Sequence, residues 1–569
     1  MARRWLGGPN LKATGDKKAY RVMLAVASTA LLLLLASHAV AAFDLDDVTA
    51  TAARLAREPF QASQGQVPEW LLKINYDQWR DIRFRPQRAL WRDMHLPFQV
   101  QFFHPGLYYE RTVAINVVDG AGVRPVEFSR DQFDYGKNKF AHRIPAHLGY
   151  AGFRIHYPLN RPDYYDELIV FVGASYFRAL GRGQVYGLSA RGIAIDTIAP
   201  TPEEFPHFRE FWLVRPATDA NTRAALDVSN SSHLGQLSSG AGRSDPTRPP
   251  EASGVRAESD PAEPVVRGPA SLVIYALLDG PSVTGAYRFT IEPGDQTVVQ
   301  VEARVFLRRS VAMLGIAPLT SMFFHGENTL QPPVDFRPEV HDSDGLLLNF
   351  DTGEWLWRPL DNPHTLQVNS LQMHNPRGFG LLQRDRNFEH HQDLETRTDL
   401  RPSVWISTQG DWGDGAVQLV EIPTDTDIRD NIVAYWVPQQ QPAPGEPATF
   451  SYTMYWYSDD PSRPPSGRVI ATRRDWGTVE NAHRFVLDFD GGDLRALGAD
   501  QAPRGVVTIA GGAESGELLD QHVVKNPVTG GWRLSFQMRP KKWAPIELRA
   551  FLERGDHALT ETWSYAVLP

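Results

Sequence analysis

Cysteine is absent from the 569 residues of this chain. Its absence excludes disulfide bonds, thiolate metal ligands and cysteine nucleophiles, so the folded protein must be stabilised by packing. Runs of one charge are also lacking. The formal net charge is -9, and no long run of Lys or Arg follows the first forty residues. A nucleic-acid partner is therefore not expected.

The sequence contains no apolar run of transmembrane length. Its long apolar run, residues 22–36, is shorter than the ~20 residues that a membrane-spanning helix needs. Basic residues precede this run, and the small-residue segment 39–42 follows it. This order predicts a signal peptide over residues 1–42, cleaved near Ala41 or Ala42, and hence export with no membrane span after cleavage. An uncleaved membrane anchor is the alternative.

Long helical patterns are scarce, whereas turn and strand formers are abundant. Gly and Pro number 45 and 43, and aromatic residues make up 11% of the chain. Short, largely apolar segments such as residues 167–172, 272–278 and 297–306 recur between Gly and Pro turns. This composition and spacing predict an all-β protein built on a large antiparallel β-sandwich.

Two polar stretches suggest a domain organisation. Residues 238–268 are rich in Ser, Gly, Pro, Glu and Arg, which predicts a disordered insertion in a surface loop. Residues 438–447 are rich in Pro and Gln, which is typical of a stiff linker. We therefore expect a large domain over residues 43–437 and a smaller β-sandwich of immunoglobulin-like size over residues 448–569.

Two acidic turns border apolar, strand-like runs in the second half of the chain. One contains Asp342 and the other contains Asp427 and Asp430. The chain between them is rich in tryptophan and arginine. Carboxylates, aromatic faces and guanidinium groups are the groups that bind and cleave a sugar. Each aspartate taken alone is also an ordinary turn former, whose carboxylate bonds its own backbone.

Several phrases of the sequence together resemble the periplasmic glucan biosynthesis protein family, the MdoG/OpgG and OpgD group, with a lean to the G branch. The phrases span about residues 76–436 and occur in the family's order. Among them are Gly173-Ala174-Ser175-Tyr176-Phe177-Arg178, Tyr186-Gly187-Leu188-Ser189-Ala190-Arg191-Gly192, His341-Asp342-Ser343, Glu354-Trp355-Leu356-Trp357-Arg358-Pro359-Leu360 and Asp430-Asn431-Ile432-Val433.

The resemblance implies a periplasmic protein with a large galactose-mutarotase-like β-sandwich followed by an immunoglobulin-like domain. It implies a role in making β-1,2-linked periplasmic glucan. Members of the family resemble inverting β-1,2-glucan hydrolases, in which the positions of Asp342 and Asp430 act as base and acid. Inversion needs roughly 6.5–9.5 Å between the carboxyl groups, so that a water molecule fits between them, and an acid with a raised pKa.

Six further residues are candidates for glucan binding. Trp355 and Trp357 share one strand face by period-two spacing, so both can stack on glucose rings, and core burial is the equal alternative. Arg358 and Arg384 are expected to hold sugar hydroxyls, with pairing to nearby carboxylates as the alternative. The remaining two candidates are Asp427 and His341.

One position departs from the family pattern. Relatives carry a tyrosine shortly before the Arg-Pro-Ser motif, where this chain has Thr398. If the tyrosine relays a proton over the site, its loss favours transfer to a sugar acceptor over hydrolysis. No cofactor is expected, and no metal either, because the groups His341, Asp342, Asp344 and His390, His391, Asp393 lack a zinc-ligand spacing.

Two classes of function remain open at this stage. The first is an enzyme that hydrolyses or transfers β-1,2-glucan. The second is a non-catalytic glucan-binding module that escorts the polymer delivered by an inner-membrane glucosyltransferase. Sugar epimerisation, suggested by the mutarotase-like fold alone, is a weaker third possibility.

Overall fold

The computed structural model describes residues 43–62, 66–216 and 270–568. The predicted signal peptide and the predicted disordered insertion lie outside the described residues. Within the described residues, no helix is both long and apolar enough to cross a membrane.

The helices are few and short. The α-helices of the described residues are α1 (Leu45–Ala56), α2 (Glu69–Leu72), α3 (Tyr76–Arg80) and α4 (Phe388–His391). Short 3-10 helices occur at Pro86–Arg88, Arg92–Met94, Arg130–Gln132, Ala141–Arg143, Thr398–Leu400, Gly492–Ala496 and Gly512–Glu514. Helix α1 is amphipathic: it buries Leu45, Val48 and Ala52, and the Ala52 carbonyl accepts a hydrogen bond from Thr284 at 2.8 Å.

The strands of the described residues are, in chain order, β1 (Arg83–Phe84), β2 (Gln99–Phe103), β3 (Ala114–Asp119), β4 (Gly122–Pro125), β5 (Phe133–Asp134), β6 (Gly152–Arg161), β7 (Tyr164–Val172), β8 (Tyr176–Ala179), β9 (Ser189–Arg191), β10 (Ile193–Ile195), β11 (His207–Val214), β12 (Leu272–Asp279), β13 (Val283–Glu292), β14 (Thr297–Leu307), β15 (Leu314–Ser321), β16 (Phe323–His325), β17 (Val340–His341), β18 (Gly345–Asn349), β19 (Trp355–Pro359), β20 (Gln367–His374), β21 (Gly378–Leu382), β22 (Ser403–Gln409), β23 (Asp414–Glu421), β24 (Ile432–Pro438), β25 (Pro447–Tyr457), β26 (Arg468–Trp476), β27 (His483–Asp490), β28 (Arg504–Ile509), β29 (Gly516–Lys525), β30 (Trp532–Pro540), β31 (Ile546–Arg554), β32 (His557–Ala558) and β33 (Thr562–Val567).

Two large sheets form the sandwich. One runs in the order β2-β6-β7-β8-β9-β15-β24-β23-β20, with β10 beside β15. The other runs β28-β31-β33-β19-β18-β21-β22-β25-β14-β13-β12-β11-β3-β4, with β32 beside β31. Their pairing is antiparallel except where β11 meets β3 and β19 meets β33. The predicted all-β sandwich is therefore confirmed.

The central strands of the longer sheet pack on both faces. In β18, Leu346 and Leu348 belong to the core between the two large sheets, and Leu347 belongs to a second core with the C-terminal strands. Because successive side chains of a strand point to opposite faces, such a strand must be apolar throughout. The second core is completed by the sheet β26-β27-β30-β29 and by β31 and β33.

Strand pairing at the predicted domain boundary, residue 448, involves both large regions of the chain. Strand β25 pairs with β14 on one side and with β22 on the other, so it is a central strand of the large sheet. Residues 438–447 connect β24 to β25, and both strands lie in the sandwich. The C-terminal strands continue this sheet through β33, which pairs with β19.

Candidate functional site

The two acidic turns flank one short backbone segment, residues 321–323. The Asp342 amide donates to the carbonyl of Met322 at 2.8 Å, and the Asn431 amide donates to the carbonyl of Ser321 at 3.0 Å. Successive carbonyls of an extended chain point to opposite sides, and neighbouring strands are about 4.8 Å apart. The backbones at the two turns are therefore roughly 10 Å apart, with residues 321–323 between them.

Asn431 fixes the second turn. Its side-chain amide accepts from the Phe323 amide at 2.8 Å and donates to the Phe323 and Ile422 carbonyls at 3.0 Å each. The side chain is 2% exposed, so these three bonds are shielded from water and hold the loop between β23 and β24. Asp430, the preceding residue, is thereby held at the end of β24.

Arg401 connects the two turns electrostatically. Its guanidinium group forms an ion pair with Asp342, which is 4% exposed. Burial and, to a smaller extent, the positive charge of Arg178 lower the pKa of Arg401 to about 10, although Asp430 and Asp427 act to raise it. One guanidinium group therefore touches one candidate carboxylate and lies within electrostatic reach of the other.

Asp430 is exposed as a residue, but protein atoms surround its carboxyl group on several sides. This partial desolvation raises the pKa of Asp430, although Arg191, Arg178 and Arg401 each act to lower it. Burial raises the pKa of Tyr176 to about 12, and the charge of Asp430 contributes in the same direction. The phenol and the carboxyl group are therefore within electrostatic range of one another, and both favour their neutral forms.

Aromatic side chains continue away from Tyr176. Burial raises the pKa of Tyr109, and the charges of Arg178 and Tyr76 also act on it. The rings of Tyr109 and Trp79 lie 5.3 Å apart, and Tyr76 is 55% exposed. These rings supply the aromatic faces that a pyranose stacks on. We call Tyr176, Tyr109, Trp79 and Tyr76 the aromatic wall.

Buried polar atoms without a partner cluster around the same residues. Among the described residues, no group hydrogen-bonds Arg178 Nε, Arg401 Nε or Thr398 Oγ1. Buried polar atoms are nearly always paired in proteins, so orphaned ones need an explanation. These atoms are therefore available to bond a hydroxyl-rich ligand or water.

His341 is fully enclosed beside Asp342. Its Nε2 lies 2.9 Å from Glu339, and its Nδ1 lies 2.9 Å from Gln383 and 3.2 Å from Asp344. Burial opposes the charge on this imidazole, but Asp344 and Glu339 outweigh burial and raise the pKa of His341 to about 9. Its role in this arrangement is to brace the turn that carries Asp342.

Asp427 is engaged by Arg337 at 2.8 Å. The same guanidinium group pairs with Asp335 at 2.8 Å and with Asp393 at 3.1 Å. Arg337 thus joins three loops: residues 333–337, the loop that leads to Thr398, and the loop that carries Asp430. We call Arg337 and its three carboxylates the Arg337 cluster.

The other predicted binding residues face the C-terminal strands. Trp357 is 3% exposed in the second core, and Trp355 packs beside it, with its ring 5.3 Å from that of Trp405. Arg384 lies 3.6 Å above the Trp357 ring. Both tryptophans therefore pack in the second core, which is the alternative to sugar stacking. They share this position because residues two apart on β19 point to the same face.

The two arginine candidates are held by carboxylates of the C-terminal strands. Arg358 bonds Glu547 at 2.6 Å, and Arg384 makes a two-point ion pair with Glu561 at 2.6 and 3.0 Å. Both guanidinium groups are nearly buried. They are therefore structural partners of the chain itself, as the pairing alternative had it.

Sequence reasoning did not assign a role to Tyr176, Arg178, Arg191 or Arg401. The first three lie inside the phrases that carry the family resemblance, and Arg401 begins the Arg-Pro-Ser motif, so position in a motif was the available signal.

The sequence analysis also did not identify a group of side chains with the atom types of a cation site. Oxygen and nitrogen atoms of Glu339, Asp385 and His390 lie within 4.8 Å of one another, and the hydrogen bond of 2.5 Å between His390 and Asp385 already accounts for two of them.

Comparison with known proteins gives consistent results along the chain. The sequence profile of the family described as periplasmic glucan biosynthesis protein, MdoG, matches residues 43–232 and 263–567. A glucans biosynthesis protein G from Ralstonia nicotianae is 44% identical over 549 residues, which cover 95% of this chain and 99% of the relative. Proteins of the same name from Pseudomonas paraeruginosa and Rhodopseudomonas palustris are 42% and 46% identical. The first covers 96% of this chain and 96% of the relative, and the second covers 92% and 93%.

Proposed function

Because the chain belongs to the family of periplasmic glucan biosynthesis proteins, MdoG, we propose that it acts on a β-1,2-linked glucan in the periplasm. The reaction is glycosidic cleavage with inversion, or transfer of the cleaved glucan to a sugar acceptor. Asp430 serves as the general acid and Asp342 as the general base. The glucan lies along the aromatic wall and crosses residues 321–323 between the two carboxyl groups.

The observation that carries this proposal is the placement of the two acidic turns on opposite sides of residues 321–323. A backbone separation of roughly 10 Å is compatible with the wide carboxyl spacing of inverting enzymes, which leaves room for an attacking water. A narrow spacing would instead have favoured a covalent intermediate.

The electrostatics support different roles for the two aspartates. A general acid must hold its proton until the leaving oxygen needs it, and desolvation raises the pKa of Asp430 in that direction. A general base must be negative, and Asp342 is paired with the positive Arg401. Two carboxyl groups in different environments can therefore perform opposite steps, as glycosidases require.

In the proposed reaction, the Asp430 carboxyl group protonates the glycosidic oxygen as the bond to the anomeric carbon breaks. A water on the Asp342 side attacks that carbon and passes its proton to Asp342. When a sugar hydroxyl replaces the water, the same steps give transfer. Activity is expected to fall as pH rises through the raised pKa of Asp430, because the acid then loses its proton.

The test is incubation of the purified protein with linear β-1,2-glucan, followed by chain-length analysis of the products. Asp430→Asn and Asp342→Asn are each expected to reduce the rate by about 1,000-fold or more, because each removes an acid or a base. Asp425→Asn, on the same exposed loop as Asp430, is the matched control and should retain activity. An unchanged chain-length distribution with the unsubstituted protein, over days and at several pH values, contradicts the proposal.

A non-catalytic glucan-binding module that works with an inner-membrane glucosyltransferase is the second candidate. Thr398 favours it, because a buried threonine stands where relatives have the tyrosine of the proposed proton path. This candidate predicts that Asp430→Asn binds glucan and sustains glucan production in cells as well as the unsubstituted protein does. Loss of production with binding intact favours the enzyme instead.

A further inference from the structure

A second, basic groove lies in the N-terminal part of the described chain. It has a volume of about 730 Å³. Its polar lining includes Arg85, Arg88, Arg130 and His142, and the buried residues Phe133 and Tyr135 also border it. None of these residues belongs to the candidate site. We call this feature the arginine groove.

The three guanidinium groups of the arginine groove are not neutralised. Among the described residues, none of the three forms an ion pair with a carboxylate. Arg85 Nε donates to the Phe133 carbonyl at 3.1 Å, and Arg130 donates to the His142 carbonyl at 3.4 Å. Arg88 makes no side-chain hydrogen bond to any described residue. Asp131 is the one carboxylate in the lining, so the groove has a net positive charge on a chain of net charge -9.

Arg83, two residues before Arg85, has a carboxylate partner. It is exposed and pairs with Asp81 at 3.4 Å. Similar pairs hold Arg124 to Asp119 and Arg154 to Glu167. Arg83 therefore offers a carboxylate-paired arginine, two residues from Arg85, with which the unpaired arginines of the groove can be compared.

The backbone around the groove is fixed before any ligand arrives. The Arg85 amide donates to the Gln132 carbonyl at 2.7 Å, where β1 pairs with β5. A reciprocal capping box between Ser129 and Gln132 holds the 3-10 helix that carries Arg130. Tyr135 is 8% exposed, and its hydroxyl lies 3.3 Å from His104. Preorganised donors lose less entropy when a ligand binds.

We propose that the arginine groove binds a phosphate-type oxyanion carried on a sugar-sized organic group. Guanidinium groups bind phosphate oxygens through paired hydrogen bonds, which lysine cannot reproduce. The volume suits a small organic ligand rather than a bare ion, since ligand pockets span about 300–1,000 Å³. The exposed guanidinium groups meet the anion, and the remaining volume of the groove accommodates the organic part.

Calorimetric titration of the purified protein tests the proposal, with glucose 6-phosphate as the probe and glucose as the neutral counterpart. We expect glucose 6-phosphate to bind and glucose not to bind at this groove. Arg88→Gln and Arg130→Gln should each weaken binding by about tenfold or more, because each removes a charged hydrogen-bond donor. Arg83→Gln is the matched control and should leave the affinity unchanged.

Arg88→Gln also separates binding from folding, since this side chain holds no other part of the protein and its loss should leave the melting temperature unchanged. Equal affinity in the Arg88→Gln and Arg83→Gln proteins overturns the proposal. So does the absence of binding to glucose 6-phosphate and to phosphatidylglycerol vesicles alike.

The same variants identify the source of the phosphate group. Binding of glucose 6-phosphate without sedimentation on phosphatidylglycerol vesicles indicates a soluble phosphate ester. Sedimentation on those vesicles that Arg88→Gln abolishes and Arg83→Gln retains indicates a lipid headgroup. Both outcomes support the arginine groove as the phosphate site.

Discussion

Arg401 is the residue on which the electrostatics of the candidate site depend. It pairs with Asp342 on one side and acts on the charge of Asp430 on the other. Burial alone would leave its guanidinium group in an unfavourable environment, since a buried charge needs partners. The two acidic turns supply the negative charge, so the arginine and the turns stabilise one another's positions.

Thr398 tests whether the orphaned polar atoms have a functional role. Thr398→Val keeps the shape of the side chain and removes a buried hydroxyl that no described residue bonds. A purely structural hydroxyl of this kind costs free energy, so its removal should leave the melting temperature equal or higher. If this hydroxyl bonds water or glucan during the reaction, Thr398→Val should still lower glucan turnover about tenfold. Thr398→Ser is the control that keeps the hydroxyl, and full turnover by Thr398→Val contradicts this role.

Glu421 gives a pH prediction at the scale of one residue. It lies at the end of β23, 5% exposed, and accepts hydrogen bonds from the Asp361 amide at 2.8 Å and from Asn369 at 3.3 Å. Burial raises the pKa of Glu421 from 4.5 to about 7, against the opposing charge of Arg358. The ionised form is therefore disfavoured in the folded state, and stability is lost as pH rises from 4.5 through about 7.

Glu421→Gln keeps the acceptor oxygen and removes this titration. The melting temperature of Glu421→Gln relative to the unsubstituted protein should rise between pH 4.5 and 7 and then level off. Glu446→Gln, on an exposed turn, serves as the control for loss of a surface carboxyl group. A Glu421→Gln difference that is constant across this range is inconsistent with the assigned cause.

At the scale of elements, the candidate site is an assembly of loops at the ends of two interior strands of a sheet. Strands β15 and β24 supply the backbone, and the Arg337 cluster joins the three loops above it. Loops positioned by a sheet are common places for binding and catalysis. In this arrangement the strands set the distance between the two acidic turns, and the loops carry the candidate side chains.

Arg337→Gln is expected to loosen these loops without touching the proposed reacting groups. Its bonds to Asp393 and Asp427 link loops that are distant in sequence, so their loss should lower kcat of glucan cleavage about tenfold with a smaller change in KM. Hydrogen exchange of residues 425–430 should become faster. Asp335→Asn is the control, because it breaks an ion pair between residues that are only two positions apart in the sequence. It should therefore leave the exchange rates of residues 425–430 unchanged. Unchanged kcat together with unchanged exchange argues against a positioning role.

Sequence patterns located elements better than they located contacts. The predicted strand at residues 167–172 lies within β7, because turn residues and apolar runs act locally. Trp355 and Trp357 lie on one face, as predicted, but the residues that cover this face come largely from strands β26 to β33, far later in the chain. The neighbours of Asp430 are non-local in the same way: Tyr176 and Arg191 reach it through β8, β9 and β15. The periodicity of a strand shows which side chains share a face, but not which distant strands pack against that face.

At the scale of the whole molecule, the C-terminal strands are continuous with the sandwich. Strand β33 extends the large sheet through β19, and the second core takes side chains from both regions, among them Trp405 and Trp563. The described residues between 45 and 568 therefore form one compact unit, without the few-contact boundary that separates independent domains. The sequence pointed to two domains because a Pro-rich connection is typical of linkers, whereas here it joins two strands of one sandwich.

This continuity predicts one cooperative unfolding transition where the sequence suggested two. Glu561 is suited to test this, since its buried ion pair with Arg384 joins the segment that follows β21 to the residue that precedes β33. Breaking a buried pair costs about 3–5 kcal/mol, because it leaves an uncompensated charge. In calorimetry, Glu561→Gln should therefore lower the temperature of the single transition as a whole. The exposed pair of Glu553 and Arg504 provides the control Arg504→Gln, with an expected cost of at most about 1 kcal/mol. If Glu561→Gln instead yields two separate transitions, or if the unsubstituted protein already shows two, then the C-terminal strands fold as a unit of their own and the shared core does not couple them.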